Sequence, residues 1–123
     1  MRSNVLISML LLFVIEVFTV KAQNNSYFRG KWNWEGSKIQ PGFNSGTSEI
    51  YKDSLYIYYD GNPAKYLSTL MKIEDDTLIY QFYNGIYDID GKLWVENNDE
   101  LAGIVTWPGG ESPVTFIRIK NHN

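Results

Sequence analysis

Carboxylates are the only reactive side chains this chain holds in quantity, with 14 Asp and Glu against one His and no Cys. Glu74-Asp75-Asp76 and Asp99-Glu100 fall between apolar runs, where acidic residues ordinarily solvate a turn. Asp88 and Asp90 are two apart and share one face of an extended chain, and with Gly91 they sketch a calcium loop. The sketch fails at both ends, because Ile86 stands at the first ligand position and Asn97 at the closing glutamate. His122 is one residue from the C-terminus, so neither a zinc cluster nor a Cys/His nucleophile pair can be assembled around it. No base is placed to serve a serine, and no glycine-rich loop opens a helix to cradle phosphate. The sequence therefore predicts no enzyme, no metal site and no cofactor.

Aromatic side chains are the remaining functional material, with 9 Tyr, 4 Trp and 6 Phe. Trp32, Phe82, Phe116 and most tyrosines read as core. Trp34, Tyr58, Tyr80, Trp94 and Trp107 are the candidates to line an open mouth or to form an outer stacking strip, since an indole or phenol joins an apolar body to a polar tip.

The elements that must position these rings begin after a leader. Residues 1–22 open on Arg2 and continue through an apolar run broken only by Glu16, and Val20-Lys21-Ala22 fits the small-residue pattern at which export signals are cut. A spanning helix needs about 20 apolar residues without a charge, which this run does not supply. The expected product is a single exported domain, residues 23–123, in the periplasm or outside the cell. The whole chain carries a net charge of −3, and loss of Arg2, Lys21 and Glu16 makes the domain slightly more acidic. Such a chain offers no basic footprint for nucleic acid or anionic membrane. With no disulfide to help it, the domain must be held by packing.

Strand-like alternation runs throughout that domain. In residues 27–35, Phe28, Gly30, Trp32 and Trp34 alternate with Arg29, Lys31, Asn33 and Glu35, the pattern of a half-buried strand. Residues 37–46 are rich in Gly, Ser, Asn and Pro and form a long loop suited to capping a barrel mouth, with Ile39 and Phe43 as its apolar members. Further strands are expected at 47–52, 55–59, 66–73, 77–83, 101–107 and 114–120. Leu55, Ile57 and Tyr59 share a face opposite Tyr56 and Tyr58. In the next strand Leu67, Thr69, Met71 and Ile73 share a face. Asn84-Gly85 is the strongest tight-hairpin signal, because both central positions of the favoured turn need positive φ. Residues 86–96 leave two readings: a second hairpin at Asp90-Gly91, or one long strand with Gly91 at a bend. About eight short strands with short connections point to an all-β fold, a small antiparallel up-and-down β-barrel.

Phe28-x-Gly30-x-Trp32 resembles the opening motif of the lipocalin-like, or calycin, barrels. Arg118 stands where that superfamily carries an arginine that packs across the tryptophan. The first and last strands of a closed barrel are neighbours, so such a stack is physically reasonable, with Gly30 allowing close approach. The resemblance implies that Gly30, Trp32 and Arg118 close the barrel, with Arg118 on the inner face alongside Val114 and Phe116. Ile117 and Ile119 would then point outward. The order of Asp90-Gly91-Lys92-Leu93, Leu101-x-Gly103, Gly109-Gly110 and Val114-x-Phe116-x-Arg118 is also similar to a small bacterial barrel domain found ahead of exported hydrolases. That likeness favours one long strand at residues 86–96.

The resulting expectation is a non-enzymatic exported barrel that binds a small apolar or amphipathic ligand or serves as an accessory module. The alternatives are a secreted protein-binding module such as a protease inhibitor, or carbohydrate binding through exposed Trp94 or Trp107. No protein partner is indicated. Trp32 is expected to be structural, and Trp34 the indole freer to meet a ligand.

Overall fold

Eight β-strands wind into one closed antiparallel barrel in the computed structural model, which describes residues 26–120. The expected leader and its expected cleavage point near Ala22, and the tail containing His122, lie outside the described residues. The strands are β1 (Gly30–Gly36), β2 (Ser45–Ile50), β3 (Leu55–Tyr59), β4 (Tyr66–Glu74), β5 (Thr77–Tyr83), β6 (Asp88–Asn97), β7 (Glu100–Trp107) and β8 (Gly110–Arg118). Each pairs with its neighbour in sequence, and β1 pairs with β8 to close the wall, with Trp32 opposite Arg118 and Trp34 opposite Phe116. Closure gives every one of these strands two neighbours, as the meander pattern predicts.

Period-two alternation accounts for most of the interior. β3 turns Leu55, Ile57 and Tyr59 inward, and β5 does the same with Leu78, Tyr80 and Phe82. β7 contributes Leu101, Gly103 and Val105, and β8 contributes Ser112, Val114 and Phe116. β6 is one strand running through Gly91, so the second-hairpin reading is excluded. Gly91 is needed for space: a Cβ there would overlap the ring of Tyr80, which lies directly across from it on β5.

Three expectations are corrected by the structure. The first strand starts at Gly30 rather than Tyr27, because Gly30 adopts a positive φ and breaks the extended run. Phe28 then turns under the barrel and is only 2% exposed, a plug rather than a strand residue. On β4 the register slips between Ser68 and Leu70, so two residues face one partner position. That bulge reverses the alternation partway along the strand. Tyr66 and Ser68 are half-buried before it and Met71 and Ile73 after it, while Leu67 and Leu70 are exposed.

The third correction concerns turns. Around Asn84-Gly85 the central residues are Gly85 and Ile86, and of these only Gly85 has positive φ. The Asn84 amide N–H donates to the Tyr87 carbonyl (3.3 Å), and the buried Asn84 side-chain oxygen accepts from the amides of Ile86 (2.9 Å) and Tyr87 (3.1 Å). The tight hairpin with positive φ at both central positions is instead β4–β5, through Asp75 and Asp76.

The core is divided along the barrel axis. At the end where β1 begins, Trp32, Ile50, Leu55, Leu78, Leu93 and Leu101 are fully buried and fill the cross-section above Phe28. Burial of this kind contributes about 1.5–3 kcal/mol for each large side chain. The opposite end, ringed by the loops at 37–44, 60–65, 84–87 and 108–109, is hollow.

Candidate functional site

The hollow end encloses a cavity of about 310 Å³. This lies near the lower edge of the range of small-molecule sites, roughly 300–1,000 Å³. One side of its wall is aromatic. Trp34 meets Tyr59 edge-on at 5.6 Å between ring centres and stacks with Phe116 at 6.5 Å. Tyr66, which is not itself in the lining, joins Tyr59 (5.7 Å) to Phe82 (6.3 Å), and Phe82 stacks with Tyr80 at 6.2 Å. Ile89, Val105 and Val114 supply an aliphatic lining from β6, β7 and β8.

The loop between β1 and β2 roofs this chamber, as its composition leads one to expect of a barrel cap. Lys38, Ile39, Gln40 and Phe43 all contribute to the lining. The Lys38 amide donates to Ser112 Oγ (3.0 Å), the Gly36 amide to the Asn44 carbonyl (2.8 Å), and Phe43 packs edge-on against Tyr59 (5.4 Å).

Few polar groups reach the chamber. Burial pushes the Tyr59 phenol up to about 12, opposed by a hydrogen bond with the Asn84 side chain. Asn84 spends its oxygen on backbone amides, so its NH₂ group is the one available to Tyr59. Burial also raises the Tyr80 phenol, and more strongly. Both are therefore neutral hydroxyls throughout the physiological range. Lys38 is the only cation in the lining among the described residues, and it is exposed on the cap.

Of the five aromatic candidates, Trp34, Tyr80 and Trp107 line the cavity. Trp34 offers its ring face alone, since its Nε1–H donates to the Thr47 carbonyl (3.1 Å). Tyr58 and Trp94 are not in the lining. Each has the opposite parity from the buried residues beside it, and each turns to an outer-surface carboxylate, Tyr58 to Glu49 (3.3 Å) and Trp94 to Glu96 (3.0 Å). Trp94 on the outer wall and Trp107 at the mouth do not make a common flat strip. Sequence reasoning missed Tyr59, Phe43, Lys38 and Asn84. Tyr59 was within reach through its parity with Leu55 and Ile57.

Gly30, Trp32 and Arg118 come together at the packed end. The Arg118 guanidinium carbon lies 4.2 Å from the Trp32 ring centre, well within the reach of a cation–π interaction. A Cβ on Gly30 would sit 2.7 Å from Arg118 Nη1, so a side chain there would displace the guanidinium, and the positive φ favours glycine in addition. The Trp32 Nε1–H donates to the Phe28 carbonyl (2.9 Å). Ile117 faces solvent, as the inward placement of Arg118 requires.

No protein-family model matches the chain, and no curated protein matches its sequence. Among solved structures, the apo form of lipid binding protein 8 from Caenorhabditis elegans is similar, with a TM-score of 0.52 at 14% identity. The alignment covers 78% of this chain and 98% of that one. A likeness at this identity shows the fold alone, a closed antiparallel barrel of eight strands.

Proposed function

We propose that this chain is a non-enzymatic exported barrel that binds a small apolar or amphipathic molecule inside its hollow end. The observation that carries the reading is the roofed, largely apolar chamber of about 310 Å³, with an aromatic wall and few polar groups. A sequence selected only for stability would fill that volume, because empty space costs packing energy. The similar solved structure is named for lipid binding, which supports an apolar occupant. The order of Gly91, Leu101-x-Gly103, Gly109-Gly110 and Arg118 keeps the likeness to barrel domains ahead of exported bacterial hydrolases as part of this reading.

Native mass spectrometry of protein purified from its own source tests the proposal directly. The expected result is a co-purifying small molecule and a mature chain beginning near Gln23. A ligand-free protein whose Trp34 fluorescence responds to no apolar compound would overturn the binding reading, and an uncleaved chain retained in the cytoplasm would overturn export.

A further inference from the structure

Tyr80 is 1% exposed, yet no hydrogen-bond partner for its hydroxyl is present among the described residues. Among those residues no side-chain polar atom is both sealed from solvent and unpaired, so this oxygen must open onto the cavity that Tyr80 lines. Its ring is fixed from two sides, lying across the space left by Gly91 and stacking on Phe82 at an interplanar angle of 15°. Of the other two phenols in the lining, Tyr59 is already engaged by Asn84, and Tyr87 belongs to the β5–β6 turn at the mouth rather than to the inner wall. Tyr80 is thus a rigid, neutral donor in the inner wall of an apolar chamber, without a partner of its own.

We infer that the ligand enters polar end first, and that the end meeting the Tyr80 hydroxyl is an uncharged oxygen acceptor such as a ketone, aldehyde or alcohol. This rests on the cavity-binding reading and specifies its ligand class. A carboxylate taken to the same depth would lose its hydration with no cation beside it, which costs far more than one phenol hydrogen bond returns. The one cation in the lining among the described residues, Lys38, is out on the cap and would hold an anionic head at the mouth with its tail inward. That orientation leaves the Tyr80 hydroxyl unpaired, whereas a neutral acceptor at the inner wall satisfies it.

The test compares three compounds of similar chain length, octane, methyl hexyl ketone and octanoate, titrated against tryptophan fluorescence of wild-type, Tyr80→Phe and Lys38→Ala protein. The ketone is expected to bind wild type about tenfold more tightly than it binds Tyr80→Phe, the size of one neutral hydrogen bond to a buried group. Octane affinity should be the same in both proteins, while Lys38→Ala should leave the ketone unaffected. Because the hydroxyl has no protein partner, Tyr80→Phe without ligand should melt no lower than wild type, which separates lost binding from lost folding. Equal ketone affinity in wild type and Tyr80→Phe, or octanoate binding best and depending on Lys38, overturns the inference while leaving cavity binding intact. Failure of all three to bind overturns both.

Discussion

The guanidinium of Arg118 stacks on Trp32 and at the same time donates to three backbone carbonyls, those of Arg29 (2.8 Å), Asn98 (3.1 Å) and Tyr27 (3.2 Å). One side chain thereby ties the last strand to the entering chain and to the β6–β7 turn. Asp99 lies 3.9 Å away, but that ion pair is half-exposed and adds little.

Removing this junction should cost more than removing a surface cation. Arg118→Ala is expected to lower unfolding stability by about 2–4 kcal/mol, combining the stack with charge-assisted hydrogen bonds. Arg118→Lys should recover only a small part, because an ammonium cannot present a planar fork to three carbonyls. Urea unfolding with an unchanged slope checks both variants.

Gly91→Ala should destabilise the barrel by about 1–3 kcal/mol, the range for forcing extra atoms into a filled core. The added methyl would overlap the Tyr80 ring, which could escape only into the cavity. Combining it with Tyr80→Ala should therefore cost less than the two single changes added together, a coupling that a double-mutant cycle measures.

Alkaline pH should unfold the protein through its buried phenols. The Tyr59 phenol ionises near 10 in the unfolded chain and at about 12 in the folded one, and Tyr80 is raised as well. Below the unfolded value both states are protonated and the stability is fully present. Between roughly 10 and 12 only the unfolded state releases its proton, so stability falls as pH rises through that window. Phenolate absorbance and circular dichroism followed together should show these two tyrosines ionising with unfolding, not ahead of it.

The β3–β4 junction should be the most readily opened part of the wall. It holds two register pairs, Tyr56–Leu67 and Ile57–Tyr66, where β5–β6 holds six. Amides at the start of β4 are expected to exchange with solvent faster than those of β6 and β7. Hydrogen exchange resolved by residue tests this, and uniform protection around the barrel would contradict it.

Much of the barrel could be read from alternation alone, because a half-buried wall imposes period two on Leu55–Tyr59 and Leu78–Phe82 whatever lies elsewhere. The closure at Trp32 and Arg118 was legible through the resemblance of Phe28-x-Gly30-x-Trp32 to the lipocalin-like opening motif, which implies an arginine across the tryptophan from the last strand. The β4 bulge was hidden. Residues 66–73 alternate in either register, and which one is used depends on the partner strand. Parity already set Tyr58 and Trp94 apart from the inner face, and weighing residue type above parity put them among the ligand candidates. The role of Asn84 could not be foreseen, because its dipeptide with Gly85 signals a turn but not the placement of a buried amide. The cavity itself depends on how eight walls converge, which no single segment encodes.

The axial division of the core assigns different duties to neighbouring positions on the same strand. Leu78 secures the folded state and Tyr80 and Phe82 shape the chamber; on β6, Leu93 and Ile89 divide the same way. Stability and the shape of the chamber therefore fall on largely separate sets of residues. Chamber side chains can be exchanged for others of similar volume while the packed half keeps the chain above its folding threshold. A lineage built on this plan can reshape its chamber without first having to relearn how to fold.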